Sequence, residues 1–382
     1  MADRSSEAAV SARVMLEMLA EKKLSVRAFC GPLLVSPHES PSQVIADLGL
    51  TYEKKSHHNE RISFEVWHIK EDFGSGSIFV PEAESKLNDQ SRKLFVDLYD
   101  RLLDQWQPDV LVTYGEPWGE QVAQAARRRG IPVVFLLYHS AIPSQDILEA
   151  TDVFLAPSRS AASYFRRKTG LECATIAPAV RSSSVFCETE REPQFITCVN
   201  PQGSEDICAF GHIAAELARR KPGIPLLVAS GRDTTSLLDR CELDLTELKL
   251  RVMDNIADPR EYYRESKIVL VPSVREELFG RIPIGAMING IPMLASTSGA
   301  LPERLRGIGF LFPIPGGTVT KSSQATDASF VTPWIETIVR LWEDNSLYSE
   351  CAERCLRAAE DYREDKIAQQ YADFFHYVIR HK

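Results

Sequence analysis

The stretch Glu277–Pro292, ELFGRIPIGAMINGIP, sets an acidic side chain two residues before a Phe279-Gly280 pair, with a short helical segment behind it. Each residue type has a use in holding a phosphorylated ligand. A glycine lets backbone amides come close to an oxyanion, and a helix start presents unpaired N–H groups with a favourable dipole. Pro283 suits the first helical position, where a missing N–H costs nothing. Gly290 predicts the C′ position that ends the helix. Gly285, inside the helix, brings no polar group at all.

These residues need a scaffold that exposes the loop and buries what precedes it. The run Lys267–Val271 (KIVLV) ends in Pro272-Ser273, so the loop follows a buried strand, and in open parallel sheets ligands bind beyond the carboxyl ends of strands. Apolar runs alternate with helical segments through the whole chain, an α/β rhythm of strands covered on both faces. The first half predicts strands at Leu24–Cys30, Ser63–Ile69, Asp109–Tyr114, Ile131–Tyr138, Asp152–Ala156 and Ala174–Ala177. Helices are expected at Ser11–Glu21, Lys86–Gln107, Glu120–Arg129 and Arg159–Thr169. A polar stretch at Arg181–Pro193 reads as a linker, after which strands follow at Phe195–Val199, Ile224–Ala229, Leu248–Met253, Ile268–Val271, Ile291–Ala295 and Gly309–Phe312. Helices are expected at Ile207–Lys221, Pro259–Glu265 and Pro283–Asn289, with a long helical run from Val331 onward. The chain opens on a helix where a doubly wound domain starts with a strand, so either a first strand lies upstream of Met1 or the sheet lacks its central strand.

At 382 residues with 44% hydrophobic content, the chain predicts two domains. A net charge of -9 argues against a nucleic-acid partner. No apolar run reaches the roughly 18 residues that span a bilayer, and no hydrophobic signal core opens the chain, so a cytoplasmic protein is expected. The eight cysteines are scattered without C-x-x-C pairs, which suggests neither a disulfide framework nor a zinc site.

With VPS before the loop, GIPMLAS after it and GALPE at 299–303, the chain resembles retaining glycosyltransferases of GT-B fold, family 4 type. Further matching pieces are PDVLVTYG, IPVVFLLYH, DVFLAPSRSAASYF, TIAPAV and DPREYYRESKIVLVPS. The resemblance implies two Rossmann-like domains facing across a cleft: residues 1–182 on the acceptor side and 193–365 holding a nucleotide sugar, with 366–382 a helix packing back on the first domain. It implies transfer of a sugar from a UDP- or GDP-sugar, without metal or other cofactor, to an acceptor that is a saccharide, a lipid-linked glycan or a small molecule. Any membrane contact would be peripheral. The missing Asp-x-Asp motif agrees with metal independence.

In that family a Glu-x7-Glu signature holds the donor. Glu277 matches the first carboxylate, and the second falls on Gly285, so the contact to the ribose hydroxyls is missing. Glu205-Asp206 stand where a Lys-Gly pair is expected to neutralise the diphosphate, and the first loop, RSSEAA, carries no glycine. Arg281 and Arg232 are candidate substitutes, since a guanidinium binds phosphate through two parallel bonds, though both also read as ordinary surface arginines. His139, closing the strand of IPVVFLLYH, matches a family histidine near the transferred sugar, while lone histidines are more often structural. Glu303 matches an acidic position near the donor and reads equally as a helix-start glutamate. The basic clusters at 127–129 and 166–168 read first as helix C-terminal charges. Two functions therefore stand: an active glycosyltransferase with His139 and Glu277 at the reacting sugar and Phe279, Gly280, Arg281, Arg232, Glu303 and position Gly285 at the donor, or an impaired relative serving as a binding or partner subunit.

Overall fold

The computed structural model describes residues 7–30, 51–59, 62–71, 74–81, 89–114, 119–201, 204–229, 248–254, 256, 258–314 and 328–381. The chain divides into two compact units, one of residues 1–157, 162–179 and 365–382, the other of 158–161 and 180–364.

The first unit opens with α1 (Glu7–Glu21), which buries Ala8, Ala12, Met15, Met18 and Leu19. Strands β1 (Arg27–Cys30), β2 (Thr51–Asn59), β3 (Ile62–Glu71) and β4 (Gly74–Pro81) form a sheet of order β1-β4-β3-β2, in which β1 runs parallel to β4 and the other pairs are antiparallel. After α2 (Asp89–Trp106) comes a second, all-parallel sheet of β5 (Leu111–Thr113), β6 (Val133–Leu136), β7 (Val153–Ala156) and β8 (Cys173–Thr175). Its helices are α3 (Gly119–Arg127), α4 (Gln145–Ala150) and α5 (Arg159–Thr169). No ladder among the described residues joins the two sheets. After residue 110 parallel strands alternate with helices in sequential order, while β2, β3 and β4 form an antiparallel meander where a single strand at Ser63–Ile69 is expected.

The second unit holds α6 (Ser182–Val185), β9 (Phe195–Val199), α7 (Ser204–Arg220), β10 (Leu226–Ala229), β11 (Leu250–Met253), α8 (Arg260–Glu265), β12 (Ser266–Val271), α9 (Arg281–Ile288), β13 (Met293–Ser296), α10 (Leu301–Leu305), β14 (Phe310–Phe312), α11 (Thr332–Glu343) and α12 (Asn345–Ala359). Six parallel strands stand in the order β11-β10-β9-β12-β13-β14. Alternation along each strand feeds two cores. Ile196, Cys198, Ile268, Leu270 and Leu294 face α7 and α11, whereas Val199, Val269, Val271, Met293 and Ala295 face α9, α10 and α12. This two-sided burial is what continuous Val/Ile/Leu strands require. The closing helix α13 (Glu364–Arg380) returns to the first unit, where the Tyr371 hydroxyl donates to the Ala177 carbonyl.

Three readings need correction. The stretch taken for a linker carries α6 and is bound along its length: Asn289 Nδ2 donates to Val185 O, its Oδ1 accepts from Cys187 N, and Arg191 donates to the carbonyls of Tyr263, Asn289 and Ser266. Pro283 is the third residue of α9, not the first; the change is harmless because no first-turn N–H has an intrahelical acceptor. Cys208 is disulfide-bonded, where the scattered spacing suggests no disulfide framework; the fold, not sequence distance, decides which thiols meet.

The basic clusters lie at or just after helix C-termini, and several of their side chains are paired. Arg129 binds Asp100 at 2.6 Å and Asp104 at 2.7 Å, Arg127 donates to the Glu149 carbonyl, and Arg166 pairs with Glu172 at 3.0 Å. Among the described residues no helix is long and apolar enough to cross a membrane.

Candidate functional site

The loop from Pro272 to Gly280 leaves the carboxyl end of β12, a central strand flanked by β9 and β13, and leads into α9. Nearly every residue of it is tied down. Ser273 O accepts from Ser296 Oγ at 2.6 Å, Val274 N donates to Asp206 Oδ1 at 2.8 Å, and Arg275 O accepts from Ser298 Oγ at 2.5 Å. Further along, Leu278 O accepts from Ser158 Oγ at 2.9 Å, and Phe279 O accepts from the buried Arg304 at 3.4 Å. A loop restrained at this density has little conformational entropy left to lose on binding, which is the form of a preorganised site.

Two glycines are demanded by this packing. Gly299, at φ 54°, lies so close to the chain at Glu277 that a Cβ would stand 2.1 Å from the Glu277 carbonyl oxygen, and Ala300 N donates to that same oxygen at 2.6 Å. Gly280, at φ 67°, would set a Cβ 2.7 Å from Arg304 Cγ. Arg304 in turn lies over the Tyr362 ring, its guanidinium carbon 5.5 Å from the centroid. At the far end of α9, Gly290 N donates to Met287 O and Ile291 N to Ala286 O, the paired bonds of a Schellman cap, as the position of Gly290 predicts.

Glu277 is partly buried, and its Oε1 accepts from both Phe279 N and Gly280 N at 3.1 Å. The first carboxylate of the signature thus ties the loop to itself, and the two amides expected to face a diphosphate are engaged by it. Arg281, the first residue of α9, is different: its Nε is buried and has no hydrogen-bond partner among the described residues. Phe279 is buried beside it at 6% exposure, a wall of the loop rather than a free ring. Arg232 lies outside the described residues.

The position of Gly285 has a cause in its neighbour. A Cβ there would stand 2.3 Å from the Tyr263 hydroxyl oxygen and 2.7 Å from Cζ. Tyr263 is 2% exposed and donates from its hydroxyl to Ile282 O at 3.2 Å, so its ring occupies the volume into which any side chain at 285 would project. Position 285 is therefore part of the packing between α8 and α9.

Glu303 holds a helix start, though not its own. Its carboxylate accepts from Arg159 N at 3.3 Å and Ser160 N at 3.0 Å, while Ser158 Oγ accepts from Ala161 N at 2.9 Å, so the two side chains share the capping of α5. Ser158 through Ala161 cluster with the second unit. Replacing Glu303 by alanine is expected to cost about 1 kcal/mol, the usual worth of a helix cap, with Glu303→Gln recovering part of it; chemical denaturation of the three proteins measures this.

The acidic pair at the start of α7 is also spoken for. Asp206, 3% exposed, caps Val274 N, and Glu205 pairs with Arg275 at 2.9 Å. His139 lies beyond the end of β6 in the first unit, on the surface, where partial shielding of its ring lowers its pKa. A lowered imidazole pKa keeps the ring neutral at pH 7. Its contribution to stability is full above the ordinary imidazole range and is lost as the pH falls through the lowered value.

Sequence reading missed Tyr263, Arg304, Ser158 and Arg275 as parts of this region. Ser158 stood within the quoted PSRS stretch and Arg304 next to Glu303, so proximity to a motif was a usable signal; nothing in spacing pointed to Tyr263.

Residues 193–325 match the family described as Glycosyl transferases group 1. The chain is 32% identical over 132 residues to D-inositol 3-phosphate glycosyltransferase of Segniliparus rotundus, covering 32% of this chain and 28% of that protein. It is 26% identical over 178 residues to N-acetyl-alpha-D-glucosaminyl L-malate synthase of Bacillus anthracis, covering 45% of this chain and 41% of the relative. The aligned part thus spans less than half the length of either curated relative. Among solved structures, Anabaena HepE in complex with UDP and glucose superposes with a TM-score of 0.68 at 13% identity, covering 97% of this chain and 96% of that one. The chain has the two-domain α/β fold of GT-B glycosyltransferases.

Proposed function

We propose that this protein is a glycosyltransferase that moves a sugar from a nucleotide-sugar donor to an acceptor hydroxyl with retention of configuration and without a metal or other cofactor. The second unit takes the donor. The observation that carries the reading is Arg281: a guanidinium Nε buried without a hydrogen-bond partner among the described residues, at a helix start, at the carboxyl edge of a parallel sheet, directly after the restrained 272–280 loop. An unpaired buried donor group costs about 1–3 kcal/mol, and an anionic oxygen is the partner that a cation there would recover it with. The match of residues 193–325 to the glycosyltransferase family supports the same reading.

In the proposed reaction the acceptor oxygen bonds to the anomeric carbon as the bond from that carbon to the phosphate oxygen breaks. The acceptor proton passes to the departing diphosphate. Negative charge builds on the leaving group, so cationic and amide donors stabilise the transition state more than the ground state. Arg281 is assigned to that charge, Arg232 alongside it, and Phe279 and Gly280 to the wall and backbone of the cradle. Glu277 is assigned to the donor sugar, and the family resemblance alone assigns His139 to the transferred sugar. Glu303 acts through its cap on α5 rather than on the donor, and Gly285 offers the ribose nothing. A cytoplasmic placement, beside the pool of nucleotide sugars, belongs to the same reading.

The test is calorimetric titration of the wild-type protein with UDP, GDP and their glucose conjugates, together with an assay of slow donor hydrolysis. Binding of one nucleoside diphosphate, weakened about ten- to hundredfold in Arg281→Gln, is the expected result. If neither diphosphate binds, the reading is wrong.

A further inference from the structure

Resting on the donor site just proposed, we infer that Arg275 supplies a second cation for the donor diphosphate and that Glu205 is the residue that aims it. The acidic pair at the start of α7 ought to repel a diphosphate at this edge of the sheet, since β9, which leads into α7, is the hydrogen-bonded neighbour of β12. The geometry removes that objection and replaces it with a cation. Asp206 is turned into the loop to hold Val274 N, and Glu205 Oε2 meets Arg275 Nε at 2.9 Å. One acidic residue therefore fixes the backbone beside Arg275 and the other fixes the root of its guanidinium.

An ordinary surface pair lacks this support. Such pairs contribute little because two long side chains must both be immobilised. Here the carbonyls of Ser273 and Arg275 and the amide of Val274 are each held by a side chain from another element, so the backbone under Arg275 is fixed at three successive residues. With Nε engaged, both terminal nitrogens of Arg275 have no hydrogen-bond partner among the described residues, and the residue is exposed. Two parallel N–H groups on a planar, pre-aimed fork are the arrangement that recognises two oxygens of a phosphate. A guanidinium is charged at any working pH, and the hydrogen bond to Glu205 shifts its pKa further upward. Arg275 lies within the 272–280 loop and Arg281 is the residue that follows it, so the same restrained segment carries both guanidinium groups.

The experiment titrates wild type, Arg275→Gln, Arg275→Lys, Glu205→Gln and Glu205→Leu with UDP and GDP, and with uridine and guanosine as chargeless probes. Arg275→Gln is expected to weaken diphosphate binding about ten- to hundredfold while leaving nucleoside binding unchanged. Arg275→Lys should recover only part of the loss, because an ammonium lacks the fork. Glu205→Gln, whose amide oxygen still accepts from Nε, should stay within about threefold of wild type, whereas Glu205→Leu should lose about tenfold. Wild type that binds a diphosphate as tightly as Arg275→Gln does would overturn the inference and leave the donor site standing. Tighter diphosphate binding by Glu205→Leu would show that Glu205 only repels and would overturn its aiming role. Wild type that binds no nucleoside diphosphate would remove the donor site and this inference with it.

Discussion

Gly285→Glu, the substitution that completes the Glu-x7-Glu signature on paper, is expected to destabilise the second unit instead of restoring a donor contact. The first atom of any new side chain would stand 2.3 Å from the Tyr263 hydroxyl oxygen, 2.7 Å from Cζ and 2.9 Å from Cε2. Tyr263 has nowhere to retreat, being packed with Val269, Ile284 and Met287 in the core between the sheet and α9. Overpacking of this kind costs about 1–3 kcal/mol, and a carboxylate forced into the same volume adds the penalty of an unpaired buried charge. For a unit of this size, each kcal/mol lowers the melting temperature by about 2–4 °C, so a fall of roughly 5–15 °C is expected by differential scanning calorimetry. Gly285→Ala should show a smaller fall of the same sign. The double variant Tyr263→Ala with Gly285→Glu should melt above Gly285→Glu alone, because the ring that blocks the side chain is gone. Equal melting temperatures for wild type and Gly285→Glu would show that Tyr263 yields freely and that the packing account is wrong.

Tyr263 also marks where sequence reading stops. Counting residues from Glu277 found Gly285 and its missing carboxylate, because a motif is a spacing along one chain. The reason the glycine is there comes from a side chain on another helix, and no periodicity within 277–292 contains it. The same division runs through the fold. Strand β9 and helix α5 have the bounds read from the sequence, since both carry strong apolar patterns bounded by polar turns. Strand β2, TYEKKSHHN, is too polar to register as a strand, and β4, GSGSIFVP, opens on two glycines; their pairing with β3 supplies what their composition does not. The long C-terminal helical run breaks at Asp344, whose side chain accepts from Leu347 N as an N-cap, a start signal legible only once the preceding helix is known to end. At the site, residue types were legible and their allegiances were not. Glu303 and Asp206 were read against a ligand, yet each carboxylate serves backbone amides of this chain, of α5 and of the 272–280 loop.

Glu277 is where those two kinds of allegiance can be separated by experiment. Its Oε1 accepts from two loop amides, a contact that a glutamine could keep with its own carbonyl oxygen and an alanine could not. Glu277→Gln is therefore expected to melt within a degree or two of wild type. Glu277→Ala should lose about 1.5–3 kcal/mol, the worth of hydrogen bonds to a charged acceptor, with the amides of Phe279 and Gly280 left to water or unpaired. Turnover should respond in a different order. If the negative charge itself acts on the donor sugar, Glu277→Gln should fall about a hundredfold or more in kcat/KM, as for loss of an electrostatic contact made in the transition state, despite its intact fold. If the carboxylate only shapes the loop, Glu277→Gln should keep activity near wild type and Glu277→Ala alone should lose it. The first pattern is the expected one, because a loop already held by Ser158, Ser296, Ser298, Asp206 and Arg304 has five other side chains to keep its shape. A charge placed on that loop is then better accounted for by what it does to a ligand than by what it adds to the fold.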